Sequence, residues 1–377
     1  MTVIRVATDV PPAGDVVAEV SRADLMPVRD ANFLDILRGT APIIVIWAHM
    51  CWWFDERGVS WAPVHWWKTI VSEPLGLLVY GGPIAVLMFC FLSGYVITHV
   101  SRTETVATFA IRRVGRIAPA LWIGVVVTWL CGELVQATGR TPTAAMGFTI
   151  DAVDVLRSAF LIDQFLGFEP VNGVTWTLAI EVTFYVLTAV LMSLTKTSAV
   201  SATLVMGLAA GFLIWIISVV PGHGQVEIIW SCLPYILIGR IAYLRAVGLI
   251  NNGNVALLTG VVVVDLAIAH AFGGQPIVYS ESPAVFVIAA IVCFGLVLRP
   301  PLRVPDIFRV LSDRSYSMYL LHVPIGFGLM DVIVGAGHSV TLAFIAAMTA
   351  TVAAADFVYR HIEVAGIRAA RRWTTAT

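Results

Sequence analysis

The chain has 377 residues, of which 59% are hydrophobic and 12% charged, with a mean hydropathy of +0.88. Soluble domains carry about one charged residue in four, so a soluble globular protein is excluded. A formal net charge of −1 provides no field to steer a polyanion, which argues against nucleic-acid binding; an anionic ligand has to be met by a local basic cluster.

Roughly 20 apolar residues cross a bilayer. The apolar runs predict an all-α polytopic bundle of about ten transmembrane helices, near 33–54, 77–99, 110–134, 174–194, 200–220, 228–245, 255–272, 284–299, 315–336 and 340–360. Residues 1–28, with Pro11, Pro12, Pro27 and scattered charges, read as a cytosolic tail rather than a cleaved signal. Residues 29–363 form the membrane domain and 364–377 a basic cytosolic tail. The stretch 153–168, interrupted by Asp154, Arg157 and Asp163, is too short and too charged to span and suits an interfacial or re-entrant helix. Of the 23 Lys and Arg residues, only Arg57, Lys68, Arg140 and Arg157 fall on the outer side if the N-terminus is inside. This bias places both termini in the cytosol of a multi-pass protein of the inner (plasma) membrane. The Arg-rich, Ala- and Val-rich composition suggests a bacterial source.

Polar groups in the bilayer interior are costly and need a partner or a task. His49 lies eleven positions beyond Arg38 in the first span, or roughly 16 Å deeper at about 1.5 Å per residue. There a neutral imidazole either bonds a neighbouring helix or accepts a proton. Arg113 and Arg116, three apart beside Gly115, share one helix face. They suit a phosphate or diphosphate, although topology alone also favours basic residues at a cytosolic helix end. Glu181 lies within the fourth span and requires a cation or a proton; Asp265, His270 and Asp331 are similar cases with less context. Gly207 and Gly211 read as a close helix contact. Trp52, Trp53, Trp61, Trp66 and Trp67 form either an interfacial belt or a sugar-binding mouth. Cys51, Cys90, Cys131, Cys232 and Cys293 lie far apart in apolar stretches and read as packing. Phosphate-loop, HExxH, GxSxG and CxxC patterns are missing, and no metal site is expected.

Several separated segments together resemble the acyltransferase 3 family of integral-membrane O-acyltransferases. They are Phe33-Leu-Asp-Ile-Leu-Arg-Gly-Thr-Ala41 followed by His49, Phe91-Leu-Ser-Gly-Tyr-Val-Ile-Thr98, and Phe109-Ala-Ile-Arg-Arg-Val-Gly-Arg-Ile-Ala-Pro119. Asn172-Gly-Val-Thr-Trp-Thr-Leu-Ala-Ile-Glu-Val-Thr-Phe-Tyr185 and Ser315-Tyr-Ser-Met-Tyr-Leu-Leu-His-Val-Pro324 complete the match, which runs from about 30 to 365. The resemblance implies transfer of an acyl group, acetyl by default, from cytosolic acyl-CoA to a hydroxyl of a carbohydrate, a cell-envelope glycan or glycolipid, or a secreted glycosylated metabolite. It implies His49 as the base, with an acylated His49 as the other chemistry. Glu181 orients His49 or the acceptor, and Arg38, Arg113 and Arg116 meet the CoA. Ser93, Trp176 and Tyr185 line the acceptor site. The resemblance implies acyl-CoA as a co-substrate, with no cofactor expected to be permanently bound. Where the family more often has Glu and Gln after the glutamate, this chain has Val182 and Thr183, so Glu181 is expected to act singly. The membrane domain is expected to work without the hydrolase-like domain that some relatives append. The rival reading is a transporter or flippase of a lipid-linked or small polar substrate, a class for which no internal repeat speaks.

Overall fold

Backbone groups in lipid have no water to bond, so each apolar run must close its hydrogen bonds within a helix. The computed structural model describes residues 28–147, 150–219, 224–272 and 303–375, and among them nine of the ten expected spans are helices. The span at 284–299, Cys293 and the tail at 1–27 lie outside the described residues. In chain order the helices are α1 (Val28–Arg57), α2 (Gly82–Ser101), α3 (Val106–Ala137), α4 (Ala152–Ala159), α5 (Ile162–Leu166) and α6 (Trp176–Val190). They continue with α7 (Ala199–Val219), α8 (Gly224–Ala246), α9 (Asn252–Phe272), α10 (Asp306–Gly335), α11 (Val340–Val358) and α12 (Val364–Thr375). Seven helical stretches among the described residues are long and apolar enough to cross a membrane.

Helix ends depart from the apolar windows where charge continues the helix beyond the bilayer. α10 starts at Asp306 rather than near 315, because Asp306 and Arg309, 3.4 Å apart, pair across one turn of its polar beginning. Residues 364–375, read above as a tail, form helix α12, joined to α11 by a π-helical turn at Tyr359–Glu363. α12 lies along α3: a Cβ on Gly366 would stand 2.4 Å from the Gly115 carbonyl oxygen, so only glycine permits this approach. Pro119 cannot supply the N–H that would normally bond that carbonyl. Arg112 Nε also donates to Thr374 Oγ1 at 3.2 Å.

The unplaced stretch 153–168 folds as α4 and α5, hinged at Leu161, a residue in the left-handed region (φ 57°). An Asp151–Asp154 capping box starts α4, and Trp122 of α3 donates its Nε1 to the Ala159 carbonyl at 3.1 Å. Asp151 hydrogen bonds to backbone N–H groups of that first turn, which holds its carboxyl below the usual range. Leu156, Phe160 and Leu166 remain exposed, as expected for a helix pair on the flank of a membrane bundle.

Gly207 and Gly211 form the close contact expected, and what they receive is the buried Asp265 carboxylate of α9. Gly94 explains the Ser-Gly-Tyr segment. α2 and α8 cross so tightly that a Cβ on Gly94 would meet the Ile236 carbonyl oxygen at 1.9 Å, and one on Gly239 would meet that of Phe91 at 2.0 Å. Gly94→Ala is therefore expected to cost about 1–3 kcal/mol through overpacking. Gly132→Ala, whose Cβ meets nothing within 4 Å, serves as control. Thermal unfolding of both in detergent checks this, with only the first lowered by several degrees.

Candidate active site

α1 and α10 run side by side in the same direction, and their polar residues meet in matched pairs. Ser312 Oγ donates to Asp35 at 3.0 Å near one end. At the other end Asp331 accepts from Arg57 at 2.7 and 2.5 Å and from Trp53 Nε1 at 3.1 Å. Between them His49 Nδ1 and His322 Nε2 stand 2.7 Å apart, with ring centroids separated by 4.9 Å. His322 Nδ1 in turn lies 2.7 Å from the Tyr319 carbonyl oxygen. A carbonyl only accepts, so in the neutral pair His322 carries its proton on Nδ1 and its Nε2 is an acceptor. His49 must then donate from Nδ1, which leaves His49 Nε2 with a free lone pair.

His49 opens into a small, partly open cleft of about 60 Å³, walled by Val45 of α1, Val79 of the turn before α2, Gly82, Pro83 and Val86 at the start of α2, Trp176 of α6 and Tyr319 of α10. Tyr319 is held in place by its hydroxyl, which donates to the Val174 carbonyl at 2.8 Å and accepts from Thr177 at 2.8 Å. Pro324 explains part of the wall's construction. It cannot bond the Leu320 carbonyl one turn back, and Asn172 Nδ2 donates to that carbonyl instead at 3.0 Å. Two segments that looked unrelated in sequence are thereby locked together. Beneath them, Asp163 accepts from Ser158 and from the Gln164 N–H at 2.8 Å. Burial pushes the Asp163 carboxyl above the usual range.

The charged residues collect toward the opposite end of α1. Glu181 accepts from Ser93 at 3.3 Å and from the Tyr185 hydroxyl. The Arg113 guanidinium lies 5.7 and 5.9 Å from the ring centroids of Phe109 and Tyr185. Arg116 lies in the field of Glu363, Glu181, Tyr185 and Tyr316, and Arg38 in that of Arg116, Asp35, Glu181 and Asp313. Glu363 is buried and accepts from Ser317 at 3.0 Å. The two arginines thus differ: Arg116 faces carboxylates, whereas Arg113 has a buried Nε without a hydrogen-bond partner.

The sequence-predicted residues therefore separate into two groups. His49 and Trp176 share the cleft, while Ser93, Glu181, Tyr185, Arg38, Arg113 and Arg116 belong to the charged end. Glu181, linked by the sequence to His49 or the acceptor, bonds Ser93 and Tyr185; the group bonded to His49 is His322. A second carboxylate, Glu363 of the turn preceding α12, faces Arg116 as Glu181 does. His322 lies inside the Ser315–Pro324 segment, but nothing in its local pattern ties it to a residue 273 positions earlier. Asp331 is explained by its bonds to Arg57 and Trp53. The tryptophans do several things: Trp53 is buried on Asp331, Trp61 stacks on Phe54 at 5.3 Å, Trp67 packs on Trp47 at 5.8 Å, and Trp66 is exposed.

Comparison with known proteins matches residues 31–360 to the acyltransferase domain of the acyltransferase 3 family. Nodulation protein 10 of Rhizobium leguminosarum bv. viciae is 26% identical over 192 residues, 48% of this chain and 49% of that protein. Peptidoglycan O-acetyltransferase OatA of Listeria monocytogenes is 23% identical over 284 residues, 65% of this chain and 45% of that protein. The chain thus spans about half the length of the curated relatives it matches. No solved structure matches.

The Asn172 bond gives a direct check on how the cleft is built. Asn172→Ala leaves the Leu320 carbonyl without a partner, at a cost of about 1–3 kcal/mol. Thermal unfolding in detergent should fall accordingly, whereas Asn254→Ala, at a half-buried position outside this network, should leave it within a degree or so.

Proposed function

Because the chain belongs to the acyltransferase 3 family, whose domain covers residues 31–360, we propose that this membrane acyltransferase moves an acetyl group from acetyl-CoA to a hydroxyl of a carbohydrate of the cell envelope. The observation that carries this reading is the free Nε2 of His49, fixed by His322, in a cleft walled by Trp176 and Tyr319. The Listeria relative, a peptidoglycan O-acetyltransferase by name, supports the acyl group and the acceptor class.

The donor's phosphates meet Arg113, whose guanidinium is not occupied by a carboxylate among the described residues. Arg38 and Arg116, balanced by Glu181 and Glu363, shape the entrance from the cytosolic end. The pantetheine arm then reaches up between the helices to the cleft. In the reaction the acceptor hydroxyl oxygen attacks the thioester carbonyl carbon while His49 Nε2 takes its proton. His322 Nε2 accepts from His49 Nδ1 throughout and stabilises the imidazolium. When the tetrahedral adduct collapses the C–S bond breaks, and the thiolate recovers the proton from His49, leaving ester and free CoA. No net proton is consumed.

The test is acetyl-CoA binding to the purified protein in detergent or nanodiscs. Saturable binding that weakens at least tenfold in Arg113→Ala supports the reading; a well-folded protein that binds neither acetyl-CoA nor longer acyl-CoAs overturns it. Once an acceptor is identified, His49→Ala should abolish turnover. His322→Phe should lower kcat by about 10²–10⁴, the usual contribution of a positioned base, with the KM for acetyl-CoA unchanged. Equal losses in binding and turnover for His322→Phe would assign it to folding instead.

A further inference from the structure

The connection between α1 and α2 holds two consecutive non-glycine residues in the left-handed region, Val79 (φ 43°, ψ 50°) and Tyr80 (φ 56°, ψ 18°), followed by Gly81 (φ 93°). For a β-branched side chain such a conformation is an outlier that survives only where the surroundings impose it. Here they do. The Tyr80 hydroxyl donates to Asp55 of α1, Trp67 Nε1 donates to the Tyr80 carbonyl at 3.2 Å, and Ser72 Oγ donates to the Leu77 carbonyl at 3.0 Å. These bonds fix Val79 at the rim of the His49 cleft, where it is 42% exposed, while Val86, deeper along the same wall, is only 6% exposed.

We propose that Val79 gates an access route to His49 from the Arg57 end of the bundle, and that the pinned turn sets the width of the hydroxyl-bearing acceptor that this route admits. The identity of the ligand as an acceptor rests on the acyl-transfer reading; the route itself does not. Its direction follows from where the elements meet. Tyr80 bonds Asp55, and a Cβ on Gly82 would touch the Ala48 Cβ at 3.2 Å, so the turn lies beside the far half of α1. The charged cluster of Arg38, Arg116 and Glu363 occupies the other end. Donor and acceptor therefore approach the same imidazole from opposite ends. With valine, proline and two aromatic rings as its walls, the passage favours a slender reacting end with the remainder of the acceptor outside.

Cysteine labelling tests this without knowledge of the acceptor. Val86→Cys is placed in a background with Cys51, Cys90, Cys131, Cys232 and Cys293 replaced, and intact cells are treated with a small membrane-impermeant methanethiosulfonate. Val86→Cys should label from outside, at least tenfold more slowly when Val79→Trp is added and severalfold faster when Val79→Gly is added. Tyr80→Phe, which frees the turn from Asp55 without filling the cleft, should also accelerate labelling. Labelling from the cytosolic side alone, no labelling at all, or one rate in every Val79 background would overturn the gate. Acetyl-CoA binding by each purified variant reports folding. If binding is absent in the parent protein while the labelling pattern holds, the acyl-transfer reading fails and the gated route stands.

Discussion

In a hydrocarbon interior a polar side chain is tolerated only opposite a partner, and α1 and α10 carry such pairings along most of their length. Ser312–Asp35, His49–His322, Trp53–Asp331 and Arg57–Asp331 are separated in sequence by 277, 273, 278 and 274 positions. Sequence separations this similar in two helices running the same way define one register. A shift of α10 by one residue rotates its side chains by about 100° and strands all of these groups at once in an apolar medium. The register is therefore fixed by the cost of breaking it more than by the strength of any single bond. The geometry of the histidine pair follows from the same constraint, because that pair is one of its rungs.

That register also separates charge from base along the bundle. The guanidinium and carboxylate groups of Arg38, Arg116, Glu181 and Glu363 gather at one end, where they offset each other. His49 lies roughly 16 Å away along α1, among apolar walls. On the acyl-transfer proposal, a phosphate-bearing donor would be met by charge at one end, while its reacting carbonyl would be delivered to an apolar region in which a fixed lone pair is more effective. Backbone strain lies elsewhere, at the Leu161 hinge and at the Val79–Tyr80 turn, where Asp55 and Trp67 impose it.

How far this architecture was legible in the sequence depends on the range of the signal. Apolar runs are local, and helices α1 to α3 and α6 to α11 fall on them. Arg38 and His49 stand out in one span because each is costly there by itself. Their partners do not stand out. His322 lies in a segment rich in polar letters, and only the packing of α10 on α1 joins it to His49. Glu363 precedes a run of arginines that reads as a tail, and its position beside Arg116 depends on α12 lying on α3 through Gly115 and Gly366. Arg113 and Arg116 share a helix face, as their spacing required. Yet one stacks on aromatic rings and the other faces carboxylates, since the difference is made by α6 and the turn before α12. The roles of Asn172 and Pro324 are local in cause but long-range in effect: proline frees a carbonyl, and which donor fills it is a matter of tertiary structure.

A second histidine, where many hydrolytic sites hold a carboxylate, suits this location. A carboxylate beside His49 would have to lose its hydration far from the charged end, a penalty that its attraction to a neutral imidazole does not offset. Neutral His322 costs much less to bury, still fixes the His49 tautomer through the Tyr319 carbonyl, and accepts from His49 when the imidazolium forms. It gives up part of the electrostatic stabilisation that an anion would supply. On the acyl-transfer proposal that loss would be tolerable, because the thiolate leaving a thioester is a far weaker base than an alkoxide and the imidazole would be charged only transiently. The same balance explains why Glu181 and Glu363 lie with the arginines, where each carboxylate has a cation to face.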